Sequence, residues 1–232
     1  MSNAADFLSS PRSVQLRRTM VDCQMRTFDV TDADVLSAVL DTPRELFVSE
    51  KIDSLVYSDA PLLVRGALVR RRMLVPMVVA RAFQEANLSK GDRALDIGGG
   101  GYSAAILGRL VDSVVALDDD ADLVDNARRG FSELGLSNAS AINGDLAAGL
   151  PGEGPYDVIF LNGAIEIVPE LLLAQLADGG RLLAVESAPG AGVGAGQMML
   201  WERNGDACGV RALFQAAAET LPGFARKPLF AF

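Results

Sequence analysis

The sequence has no histidine among its 232 residues. That absence removes the side chain that most often serves as a general base near neutral pH, and with it the Ser-His and Cys-His nucleophile schemes and the commonest nitrogen ligand of zinc. Cysteine is almost as scarce. Cys23 and Cys208 lie far apart without C-x-x-C spacing, so they read as reduced thiols in a core, and neither a disulfide nor a metal site is expected. Positive charge is in deficit too: 21 Lys and Arg face 30 Asp and Glu, a net charge of −9. Nucleic acid is therefore not an expected partner, because phosphate binding needs a concentrated positive surface. No run approaches the roughly 18 apolar residues of a membrane span, and the opening MSNAADFLSS lacks a basic stretch followed by an apolar one. A cytoplasmic protein with no membrane partner is the expectation.

What the sequence does have is the balance of a folded chain, 50% hydrophobic and 22% charged, at a length that suits one α/β domain with an appendage. Residues 1–75 read as a helical cap with a substrate-side loop. Val14, Val21 and Met25 recur at helical spacing, and Thr31 precedes Asp34 by three residues as in a capping box. PRELFV fits a short turn packed by Leu46 and Phe47, and LLVRGALVRRRMLV is a loop of mixed strand character. Pro76 suits the first turn of a helix reaching about Leu88.

From residue 94 the rhythm changes to short, uniformly apolar runs at residues 94–97, 114–117, 139–142, 158–161 and 182–185, which suit strands covered on both faces. Helical patterns at residues 120–134 and 168–177 separate some of them, so residues 76–232 are expected to form a Rossmann-like, doubly wound, mostly parallel sheet of seven strands. QMMLWER and VRALFQAAAET flank the turn-rich NGDACG and predict a closing antiparallel hairpin. APGAGVGAGQ lies between strands, not before a helix, and reads as a flexible connector.

The stretch LDIGGGGYSAAILGRL joins a strand to a helix through Gly98, Gly99, Gly100 and Gly101. Glycine is wanted where a ligand must approach the backbone. Gly99, Gly101 and Ala104 satisfy the dinucleotide pattern G-x-G-x-x-[GA], and Asp118 ends the next strand, where an acid can take ribose hydroxyls. Asp96, just ahead of the glycines, separates the candidates. A carboxylate there opposes a pyrophosphate and favours the sulfonium and ammonium of S-adenosylmethionine. Asp145 falls at the same rim and could accept from an adenine amino group. Of the run Asp118, Asp119 and Asp120, two are expected to serve as solvated, helix-capping acids.

These residues resemble the class I S-adenosylmethionine-dependent methyltransferases, and the chain over residues 20–224 resembles the protein-L-isoaspartate O-methyltransferase family. The likeness is carried by MVDCQMRTFDVTDADVLSAVLDTPRELFV, VPMVVARAFQ, the glycine stretch, VVALDDD, INGD, YDVIFLNGA, VPELLLAQLADGGRLLAV and RALFQAAAETLPGF. It implies S-adenosylmethionine as cofactor and methylation of a carboxylate on damaged protein or peptide. Asp96 and Gly98, Gly99, Gly100 and Gly101 would line the methionine end, Asp118 with Asp119 the ribose, and Asp145 with Leu146 the adenine. Asn162 would face the reacting centre. No catalytic residue is marked. The transfer needs neither metal nor general base, since the carboxylate is already ionised near pH 7 and positioning with exclusion of water does most of the work.

Two departures stand out. Where the family usually offers substrate-side hydroxyls, this chain has Leu74 and Val75, preceded by Arg65, Arg70, Arg71 and Arg72, which form either carboxylate ligands or an exposed basic loop. The glycine loop is also one residue shorter than is usual in the family. They motivate an alternative, a methyltransferase-fold binding module without isoaspartyl repair activity. A nicotinamide-dependent oxidoreductase is a third reading, opposed by Asp96 and by the lack of a proton-donor pair.

Overall fold

The computed structural model describes residues 10–49, 53–65, 71–188, 190 and 194–226. Seven strands form one sheet in the order β3-β2-β1-β4-β5-β6-β7. β1 (Arg93–Ile97), β2 (Ser113–Asp118), β3 (Ala139–Asn143), β4 (Tyr156–Ile165) and β5 (Leu176–Ser187) pair in parallel. β6 (Gly194–Asn204) and β7 (Ala207–Ala218) add an antiparallel hairpin turned at Gly205 and Asp206. The expected doubly wound sheet with its closing hairpin is thus what the chain forms. The order of winding, not the strand direction, reverses between β1 and β4, which opens a crevice at their carboxyl ends.

The apolar runs are buried on both faces, as their uniformity implies. Leu95, Ile97, Ile159, Leu161 and Leu182 enter one core, while Ala94, Val158, Phe160 and Leu183 enter the other. The second of these cores is continuous with the N-terminal helices. α1 (Pro11–Met20) passes through a π-turn (Val21–Met25) and a 3-10 turn (Arg26–Phe28) to α2 (Ala33–Leu40). A further 3-10 turn, Arg44–Leu46, buries Leu46 and Phe47 as PRELFV predicts, and α3 (Asp53–Val56) follows. Fully buried Arg44 donates to the carbonyls of Val56, Ser58 and Ala60 and lies 5.7 Å from the centre of the Tyr102 ring, tying this cap to the glycine loop's helix.

Several expectations need correction. The cap of α2 is Asp32, which accepts from the backbone N–H of Asp34 and Val35; the N–H of Thr31 instead donates to Gln84. α4 (Pro76–Glu85) begins as expected but ends three residues short of Leu88. Residues 168–177 do not make a full crossover helix. Pro169 precedes a single turn, α7 (Glu170–Leu173), because β4 runs on to Ile165 and β5 begins at Leu176, leaving too little chain. Both cysteines are free yet exposed, on the π-turn and on outer strand β7, and not in the core. The connector at residues 188–197 is only partly among the described residues, and its end, from Gly194, is strand.

Candidate functional site

The glycine loop links β1 to α5 (Tyr102–Leu110) and faces α6 (Ala121–Glu133). Its turn is made at Gly100 (φ +60°) and Gly101 (φ +100°), left-handed conformations open to glycine at little cost. Close neighbours enforce both positions. A Cβ on Gly100 would overlap Val64, and one on Gly101 would stand 2.7 Å from the Cβ of Ala127. The loop is therefore packed against its own chain from above and below.

Asp96 sits beneath it, fully buried. Ser103 donates to one carboxylate oxygen at 2.9 Å and Asn162 to the other at 2.8 Å. Burial drives its pKa from an ordinary 3.8 up to about 7, against the lowering effect of these two donors. Asn162 is not at the end of its strand, since β4 continues three residues further; its amide also leans on the Ile97 carbonyl at 3.4 Å. Ser103 escaped the sequence reading, although its place in the first turn of the helix after the glycines aims it back at β1.

At the end of β2 the three acids divide their work. Buried Asp118 accepts from the Gly100 N–H at 3.1 Å; Asp120 caps α6 by accepting from Asp122 N–H at 2.8 Å. Asp119 is exposed and takes the Arg71 guanidinium at 2.6 Å. Arg71 also lies 3.5 Å from Asp118 and donates to the Gly98 carbonyl at 3.4 Å. Burial raises the pKa of Asp118 to about 6, with Arg71 and the Gly100 N–H pulling the other way.

The arginines divide: Arg65 is exposed and Arg72 partly so, whereas Arg71 is buried in the site. Arg65 donates to the carbonyls of Val48 and Glu45, and Arg72 pairs with Glu219 at 3.1 Å; Arg70 lies outside the described residues. Asp145 is exposed and accepts from the Ala147 N–H at 2.9 Å, while Leu146 beside it is buried. Asn162 also lines a mostly apolar cavity of about 230 Å³, walled by Met73, Leu74, Val75, Met77 and Ala218, with Arg72 and Glu219 at its edge.

The donor set suits a cationic nucleoside in kind. Carboxylates at the end of β2 can accept hydroxyls, the loop exposes peptide backbone, and the buried acid opposes a phosphate. The seat itself is taken by the protein's own side chains: Val64 covers Gly100, and Arg71 and Leu221 press on Gly98. Val64 and Leu221 lie in stretches the sequence reading did note, LLVRGALVRRRMLV and RALFQAAAETLPGF, but nothing in either pattern points to the glycine loop.

Residues 17–206 match the family described as Protein-L-isoaspartate(D-aspartate) O-methyltransferase. Among curated relatives, a protein-L-isoaspartate O-methyltransferase of Halorhodospira halophila is 38% identical over 84% of this chain and 86% of its own. One of Koribacter versatilis is 36% identical over 75% and 77%. Among solved structures, a protein-L-isoaspartate O-methyltransferase superposes with a TM-score of 0.77 at 26% identity, over 91% of this chain and 66% of that one. A Plasmodium falciparum structure holding S-adenosyl-L-homocysteine superposes at 0.71 over 91% of this chain and 99% of its own, at 20% identity, and so bears on the fold alone.

Proposed function

From the premise that the chain belongs to the protein-L-isoaspartate O-methyltransferase family, we propose how its own residues serve that activity. The protein is an S-adenosylmethionine-dependent O-methyltransferase of the isoaspartyl type. When bound, S-adenosylmethionine supplies a sulfonium-activated methyl group that an ionised carboxylate can accept by in-line displacement. Asp118 and Asp119 are assigned to the ribose hydroxyls, Gly98, Gly99, Gly100 and Gly101 with Asp96 to the methionine end, and Asp145 with Leu146 to the adenine.

Asn162 occupies the junction. Its amide bonds Asp96, and the same residue lines the apolar cavity. That single arrangement carries the reading, because one side chain touches both the buried acid and an acceptor-sized space. The cavity is assigned to the isoaspartyl peptide. Its walls at Leu74, Val75 and Met77 exclude water from the reacting carboxylate, which strengthens any charge interaction there. Arg72, now paired with Glu219, is positioned to hold an acidic acceptor. No general base is called for, because the acceptor enters ionised.

The test is methyl transfer to an isoaspartyl peptide alongside calorimetry with S-adenosylmethionine. The wild-type protein is expected to turn over the peptide, and Asp118→Ala to lose cofactor affinity by at least tenfold, about 1.4 kcal/mol. Cofactor binding without turnover would reject the isoaspartyl acceptor and keep the methyltransferase.

A further inference from the structure

We propose that Arg71 is an internal competitor of the cofactor: its guanidinium holds the carboxylates of Asp118 and Asp119 that ribose hydroxyls would engage, so that nucleoside binding must expel it. The proposal rests on the assignment of Asp118 and Asp119 given above. Three observations place Arg71 in that seat and not merely near it. It is buried, although arginine is almost never buried without a partner. It reaches Asp119 at 2.6 Å and Asp118 at 3.5 Å, consuming acceptor capacity on both acids. And it stands over the glycine loop, donating to the Gly98 carbonyl, with its Nη1 at 2.8 Å from where a Cβ of Gly98 would lie.

Arg71 arrives there on an arm of its own. The Val64 N–H donates to the Arg71 carbonyl at 2.9 Å and the Met73 N–H to the Leu62 carbonyl at 2.9 Å, so residues 62–64 and 71–73 run antiparallel across the loop. Successive side chains of an extended segment point to opposite sides. Arg71 accordingly enters the glycine side, and Arg72 turns to Glu219 at the apolar cavity. One segment therefore serves both compartments. Release of Arg71 breaks contacts to two carboxylates and one carbonyl but none of the sheet's hydrogen bonds. Rotating the side chain outward leaves the arm's own backbone pairing in place.

Affinity is then set by a difference: the nucleoside's contacts less those of Arg71. S-adenosyl-L-homocysteine binding, followed by calorimetry, is expected to tighten at least tenfold in Arg71→Gln, which keeps a polar side chain but removes the charge. Arg71→Lys, which keeps the charge but loses the two-pronged reach, should fall between. A wild-type readout guards against a variant that folds poorly. Modification of Arg71 by phenylglyoxal, located by mass spectrometry, should be slow in the free protein and several-fold faster with saturating S-adenosyl-L-homocysteine, the reverse of ordinary ligand protection. Unchanged or weaker binding by a natively folded Arg71→Gln, or slower labelling with ligand, would overturn the proposal. Turnover of isoaspartyl peptide is measured on the same preparations. Wild-type turnover with unchanged Arg71→Gln affinity rejects the competitor alone; tightening without turnover in any form rejects the acceptor assignment alone.

Discussion

Asp96 shows how much a single residue's meaning depends on where it is buried. From the sequence it is an acid beside a glycine loop, suited to a cationic ligand; in the fold it is sealed, with both oxygens bonded by Ser103 and Asn162 and its pKa raised by burial to about 7. An acid raised on folding contributes stability below its unfolded value, and that contribution is lost as pH rises through the folded one. Here the window runs from the ordinary 3.8 to about 7. Asp96→Asn keeps the shape, and the Ser103 hydroxyl can turn to accept. Between pH 5 and pH 8 the wild-type protein is expected to lose about 2 kcal/mol more stability in urea melts than Asp96→Asn. Equal losses would mean that Asp96 does not titrate in that range. Asp118, raised to about 6 for the same first reason, is common to both proteins, and its charge is among the causes that raise Asp96, so the difference between the two melts reports the pair.

Elements are held to one another by contacts that no local pattern announces. Gly130 lies inside α6, where helix propensity alone favours alanine by about 0.8–1 kcal/mol. In the structure a Cβ there would run into the ring of Phe47, with Cζ at 2.6 Å, and that ring is fully buried in the cap and cannot withdraw. Overpacking of this kind costs about 1–3 kcal/mol, so the clash prevails. Gly130→Ala is expected to lower stability by about 1–2 kcal/mol on denaturant melts; a gain would mean that Phe47 can repack. The same limit explains the misplaced boundaries. Periodicity located the strands well because their apolar residues face two cores, but the 168–177 segment carries a helical pattern in a span too short to build the helix once β4 and β5 extend. Thr31 and Asp32 are both good caps, and which one serves is decided by Gln84 on another helix, whose side chain accepts from both N–H groups.

For the whole molecule, the division at residues 75 and 76 marks a change of role more than a break in packing. Met25, Phe47 and Val64 from the first part share one continuous core with Phe83, Ala105 and Val158 from the second. We propose that the two parts fold as a unit. Fluorescence of Trp201, buried on the sheet's far side, and far-ultraviolet circular dichroism should report the same unfolding midpoint in urea. Separate midpoints would make the cap an independent unit. Acids outnumber bases, with a net charge of −9, and the arginines nearest the glycine loop, Arg65, Arg71 and Arg72, all engage acids or carbonyls. Among the described residues no helix is long and apolar enough to cross a membrane.

The sequence by itself determined the sheet, the hairpin, the place of the glycine loop and the family, because uniform apolar runs and a glycine-bearing strand-to-helix turn are local patterns with few structural solutions. It also singled out Asp96 and Asp118, which the fold places against the glycine loop and its helix. Only the tertiary structure decided what those acids face. Arg71 comes from 47 positions before Asp118 in a run of three arginines that are indistinguishable by composition, and whether it meets solvent or a buried carboxylate depends on how an arm outside the sheet crosses the loop. Such a contact is set by long-range packing, which no spacing along the chain encodes.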